Sequence, residues 1–113
     1  MSYPLSTSCG EIGIILHIIL NNVLPLKTNG VFIEIGANDG KTGSFTYNLA
    51  RYGWSGINIE PVTRIYNLCC ENHKNHTNVK NLNIAIGSSR GKIEIVDAKL
   101  NKTDCGKIIF ITY

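Results

Sequence analysis

The sequence holds no hydrophobic run long enough to cross a bilayer and no block of like charge. Its most apolar stretch, Ile12 to Leu20, is bracketed by Glu11, Asn21 and Asn22, and falls well short of the roughly 20 residues a spanning helix needs. A secretory signal would place positive charge near Met1, whereas the first basic residue is Lys27, so this stretch reads as a packing helix. The four cysteines, Cys9, Cys69, Cys70 and Cys105, have neither zinc-knuckle nor redox-pair spacing, which excludes those two uses and leaves no expected metal site. The adjacent pair suits buried or half-buried thiols on a helix, reduced in a cytoplasmic setting. A net charge of +3 with scattered lysines gives no nucleic-acid footprint and no membrane-binding patch. Asn75-His76-Thr77 and Asn101-Lys102-Thr103 match the glycosylation pattern, but without a secretory route they read as chance. No repeat or low-complexity tract is present.

What remains is a soluble-type composition, 43% hydrophobic and 17% charged over 113 residues, enough for one domain with a modest core. Residues 1–9 read as a flexible lead-in, 10–97 as the domain, and 98–113 as a tail with a strand at 108–111. Over 10–24 the positions Ile12, Ile15, Leu16, Ile19 and Val23 recur at helical spacing. Val31 to Ile35 is an apolar, β-branched run suited to a strand buried on both faces. A helix capped by Thr42 or Ser44 is expected to reach Tyr52, with Phe45, Leu49 and Tyr52 inward and Gly53 ending it. A second strand covers Ile57 to Glu60, and Pro61 opens a helix to about His73 with Ile65, Leu68 and Cys69 inward. Val79 to Ile86 reads as a third strand, and a hairpin-like return through Gly87 to Gly91 leads to Lys92 to Val96. This alternation is α/β, with three parallel strands and right-handed crossovers: part of a Rossmann-like, doubly wound sheet.

In such a sheet three strand ends share one edge: Glu34 to Gly40, Glu60-Pro61, and Asn83 to Ile86. The glycine-bracketed turn Gly36-Ala37-Asn38-Asp39-Gly40 lets the backbone turn sharply and approach a ligand. Glu60 has two acceptor oxygens for a pair of ribose hydroxyls, or it only caps the following helix, where a carboxylate is also favourable. The turn lacks the middle glycine of a dinucleotide fingerprint. The nearby Glu34 suits a ligand carrying an amino group and a sulfonium, which favours S-adenosylmethionine over NAD.

Glu34-Ile35-Gly36-Ala37-Asn38-Asp39-Gly40 resembles the cofactor motif of class I S-adenosylmethionine-dependent methyltransferases, specifically the FkbM-like family. Gly53-Trp54-Ser55-Gly56-Ile57-Asn58-Ile59-Glu60-Pro61 is similar to its "GW-x-G-x-x-x-EP" segment, and Asn83-Ile84-Ala85-Ile86-Gly87 to its "N-x-AIG" segment. The resemblance implies that Glu34 and the backbone of Gly36, Ala37, Asn38, Asp39 and Gly40 hold the methionine part of the cofactor. It assigns the ribose to Glu60, puts Pro61 and Val62 near the adenine, and lines the adenine pocket with Asn83 and Ala85. It also implies O-methylation of a small-molecule or sugar hydroxyl. The family's later "LLKIDVEGAE"-like strand has no counterpart here, so the expectation is a domain lacking its C-terminal, acceptor-binding half and inactive alone. The residue types nominate no catalytic base: His17 reads as a packed core histidine, and His73 and His76 as helix-end residues bonding carbonyls or facing water. The alternative is a non-catalytic remnant or interaction module, self-associating through an exposed sheet edge. A nucleotide or dinucleotide binder without methyl transfer is a third reading.

Overall fold

The chain is described from a computed structural model, which defines residues 29–97, Ile18, Ile19 and Lys99, and the backbone of Lys102–Phe110. Ile18 and Ile19 are helical, and the rest of the helix expected over 10–24 lies outside the described residues.

Two successive strand–helix units build the first sheet. β1 (Val31–Ile35) leads through the glycine turn to α1 (Tyr47–Tyr52), then β2 (Ser55–Ile59), α2 (Thr63–Asn72) and β3 (Val79–Leu82). The strands are parallel in the order β1-β2-β3, so their carboxyl ends fall on one edge. Gly53 ends α1 in a left-handed conformation, with φ 105° and its amide bonding back to helix carbonyls, the usual role of glycine at this position. Register pairs Phe32 with Gly56, and any Cβ at Gly56 would overlap the Phe32 ring. That missing side chain lets Phe32 join Leu49 and Ala50 in the core, with Tyr52, Trp54 and Val79 packed around them.

The same face carries a polar patch under α2. Buried Asn58 donates to Asn81 Oδ1 at 3.1 Å, and the Cys69 thiol reaches the same oxygen at 3.4 Å. On the opposite face of β1, Val31, Ile33 and Ile35 are 74, 62 and 60% exposed. No strand pairs with the outer edge of β1 among the described residues.

The second sheet departs from the sequence-based expectation. The third strand breaks at Asn83, because the Asn83 carboxamide turns back to donate to the carbonyls of Glu60 and Pro61 at 2.9 and 3.0 Å. The remainder becomes β4 (Ile84–Gly87) in another sheet. β5 (Gly91–Asp97) forms no hairpin with it. The final strand, β6 (Lys102–Phe110), lies between them, parallel to β4 and antiparallel to β5. The strand expected at 108–111 therefore starts earlier and has two partners, neither of them β1. Arg64 on α2 joins the sheets through a bidentate pair with buried Asp97, at 2.6 and 3.1 Å. The Asp97 hydrogen bonds hold the Arg64 guanidinium above its ordinary value, against a smaller desolvation effect.

Two helix expectations are also corrected. α1 starts at Tyr47, later than a cap at Thr42 implies, and Phe45 is exposed. The Ser44 hydroxyl accepts from the amides of Thr46 and Tyr47 at 3.1 and 3.0 Å, while Glu34 holds residues 44–46 in a non-helical arrangement. Leu68 lies on the outer side of α2, and Pro61 stays outside that helix, which opens at Thr63. No described helix is long and apolar enough to cross a membrane.

Candidate functional site

The turn after β1 folds across the end of β2. The amides of Gly36 and Ala37 both donate to the Ile59 carbonyl at 2.9 Å. Gly36, Asn38 and Gly40 have φ values of 73, 54 and 74°, a region costly for residues with a Cβ except the short polar ones. An added Cβ at Gly36 would meet nothing within 4 Å; conformation, not crowding, demands the glycine, and the space beside it is open. Asp39 steadies the exit from the turn by accepting from the amides of Lys41 and Thr42 at 2.9 and 2.7 Å. Burial alone would raise its carboxyl, but these hydrogen bonds hold it below the ordinary carboxylate value.

Two acids serve this edge differently. Glu34 accepts from Ser44 Oγ at 2.9 Å, from the Phe45 amide at 3.1 Å and from Thr46 Oγ1. Its carboxylate is occupied by the segment that leads into α1. Glu60 accepts from the Asn38 amide on one oxygen and from the Val62 amide on the other, both at 2.9 Å. The Val62 bond ties this acid to the residue just before α2. The Asn38 bond fastens it to the glycine turn as well.

Gly36, Ala37, Asn38, Asp39, Gly40, Glu60, Pro61, Val62 and Asn83 thus meet at one edge. Asn83 does so as a clamp, since Thr63 Oγ1 donates to its carboxamide oxygen at 3.0 Å while its nitrogen holds the Glu60 and Pro61 carbonyls. Its side chain is therefore engaged with protein. Ala85 lies two residues on, in β4, paired with Ile108 of β6.

Sequence reasoning missed the underside of the turn. The end of α2 grips it: Asn72 Nδ2 donates to the Asp39 carbonyl at 2.8 Å, and buried His73 Nε2 lies 2.7 Å from the Gly40 carbonyl. His73 Nδ1 in turn lies 3.0 Å from His76 Nδ1, and the Tyr47 ring packs edge-on against both imidazoles. Burial pushes both histidines below their ordinary value, and for His76 the neighbouring His73 and Arg51 add to this. The three-residue separation of His73 and His76 at a helix end is a signal for a pair, but it does not point to the Gly40 carbonyl. Cys69 is inert here, its thiol pushed up to about 12 by burial and, second, by Cys70. Among the described residues no group of three or more His, Cys, Asp or Glu is arranged to hold a metal.

The family model of the methyltransferase FkbM domain matches residues 34–112, well over half of the chain. The chain belongs to this family. The FkbM match begins at Glu34 and takes in both the glycine turn and the second sheet. Among solved structures the FkbM chain is similar to a Plasmodium falciparum protein described as a protein-L-isoaspartate O-methyltransferase, crystallised with S-adenosyl-L-homocysteine. Identity is 20% and the TM-score 0.45, over 74% of this chain and 45% of that one. The chain thus spans less than half of that protein. A comparison with curated proteins gave no match.

Proposed function

We propose that the chain binds S-adenosylmethionine and serves methyl transfer to the hydroxyl oxygen of a small molecule or sugar. The bond between the Glu60 carboxylate and the Asn38 amide carries this reading, because it brings the ribose-type acid and the glycine turn into one site. Each Glu60 oxygen accepts one described hydrogen bond and keeps acceptor capacity for a ligand hydroxyl. The open space beside Gly36 supports the methionine end of the ligand lying there. A dinucleotide is disfavoured by Asn38, which carries a side chain where the middle glycine of that fingerprint would stand.

In this reading the backbone of Gly36, Ala37, Asn38, Asp39 and Gly40 receives the methionine part and Glu60 the ribose. Pro61, Val62 and Ala85 lie toward the adenine, Asn83 shaping that side as a clamp. Glu34 supports the segment beneath the turn instead of reaching the ligand. When bound, S-adenosylmethionine supplies a methyl group on a sulfonium, an electrophile attacked in line, so holding the two reactants in place provides much of the acceleration. No residue is assigned as base.

Calorimetry with S-adenosylhomocysteine tests the reading. Binding should be measurable in the parent chain, weakened roughly 10- to 100-fold in Glu60→Ala and lost in Gly36→Val. Tighter binding of NAD than of S-adenosylhomocysteine would overturn it. A second reading, a non-catalytic interaction module, is favoured by the exposed Val31, Ile33 and Ile35 beside a β1 edge that no strand pairs with among the described residues. It expects neither ligand to bind while sedimentation shows self-association.

A further inference from the structure

We propose that His73 is a positioning residue for the cofactor turn, with its proton fixed on Nε2 by the Gly40 carbonyl and by His76. This rests on the cofactor reading above for its consequence, but not for its geometry. A carbonyl oxygen only accepts, so at 2.7 Å His73 Nε2 must carry the hydrogen. A neutral His73 then has a bare Nδ1, and its 3.0 Å contact with His76 Nδ1 requires that the latter donate. His76 is thereby set in the Nδ1–H form, leaving its Nε2 as an acceptor. His76 also lines a cavity of about 210 Å³ with Arg51, Trp54 and Asn78.

Gly40 packs close against this cluster, with no space for a side chain. A Cβ built on it would fall 2.6 Å from Cys69 Sγ and within 2.9 Å of the His73 ring. Asn72 holds the preceding carbonyl, of Asp39. The last residue of α2 and its C-cap therefore fix two consecutive carbonyls of the turn. The Asn38 amide, one residue before them, meets Glu60. Losing the His73 donor frees the Gly40 carbonyl and lets the turn shift away from Glu60.

The test is nuclear magnetic resonance of the parent chain at pH 7.5, followed by two variants. Nitrogen shifts of the imidazoles should show His73 protonated at Nε2 only and His76 at Nδ1 only. His73→Phe keeps a ring but no donor; His73→Gln restores an N–H at similar reach. The amide signals of Asn38 and Gly40 should move in His73→Phe and return in His73→Gln. Affinity for S-adenosylhomocysteine should fall about tenfold in the first, the loss of one hydrogen bond of about 1.4 kcal/mol, and recover in the second at matched melting temperature. Parent-like amide signals in His73→Phe, or His76 protonated at Nε2 alone, overturn the proposal. Absence of ligand binding in the parent chain overturns the cofactor reading only, since the imidazole and amide signals still decide the role of His73. Failure of His73→Phe to fold leaves the decision to the imidazole signals of the parent.

Discussion

The segments that follow β1 and β2 are both fastened by a glutamate, yet the two carboxylates do opposite things. Glu34 takes all three of its described hydrogen bonds from residues 44–46, within its own connection. Glu60 takes one from its own turn and one from the other connection, 22 residues away. Register explains the difference. Glu34 pairs with Asn58, so Glu60 points to the same face one strand repeat further on, past the end of the sheet. An acid inside the sheet is surrounded by its own chain; an acid just beyond the edge meets its neighbour's turn. The first organises a loop, and the second joins two loops at the place where a ligand would lie.

The strongest challenge to this contrast is Gly36→Val. A β-branched residue at a φ of 73° is strained by more than the about 1–2 kcal/mol an ordinary side chain costs there. S-adenosylhomocysteine binding is expected to vanish while circular dichroism stays close to that of the parent. Next comes the comparison of the two acids. Glu60→Ala should weaken binding by roughly 10- to 100-fold, in line with the worth of hydrogen bonds to a charged group. Glu34→Ala should instead lower the unfolding free energy by about 2 kcal/mol, with affinity changed about threefold at most. Equal affinity losses in the two variants would erase the distinction.

Acidification should have a smaller effect, through the histidines beneath the turn. The Gly40 carbonyl and Glu34 favour the charged form of His73, and His73 and Arg51 disfavour it for His76. For both rings burial is the largest influence, and the folded-state values lie below 6.5. The unfolded chain therefore binds more protons in that window. Their contribution is complete above pH 6.5 and is lost as pH falls through the lowered folded values. Scanning calorimetry should show a melting temperature lower by a few degrees at pH 5.5 than at pH 7.5, with a shallower slope in His73→Gln. The smallest effect on binding belongs to Arg64→Met. It removes the two Arg64 hydrogen bonds to buried Asp97, so hydrogen exchange should quicken in β5 while ligand affinity stays unchanged.

Much of the first sheet was legible because its signals are local. The strand from Val31 to Ile35 and the glycines at 36 and 40 stand where the sequence put them. The expected burial on both faces is not met, since Val31, Ile33 and Ile35 are exposed and only Phe32 is buried. What escaped were competitions settled at a distance. Capping residues placed the start of α1 after Thr42 or Ser44, but the Glu34 carboxylate outbid the helix for residues 44–46. Val79 to Ile86 read as one strand interrupted by polar residues, and the pattern does not tell that Asn83 among them reaches Glu60 and Pro61 and splits it. The pairing of β6 with both β4 and β5 is likewise non-local. At the site, Glu60 was read as a ribose acceptor or a cap of the following helix, whereas its bonds to the Val62 and Asn38 amides needed the fold. His73 was read as a helix-end residue bonding carbonyls or facing water, and only the structure tells that it meets the Gly40 carbonyl.

Helix α2 is anchored near both ends. Arg64, in its first turn, holds Asp97 of β5, while Asn72 and His73 at the other end hold the carbonyls of Asp39 and Gly40. Its ten residues make a rod about 15 Å long, stiffened by its own backbone bonds. The spacing between the second sheet and the glycine turn is consequently gauged by a strut and not left to a connector.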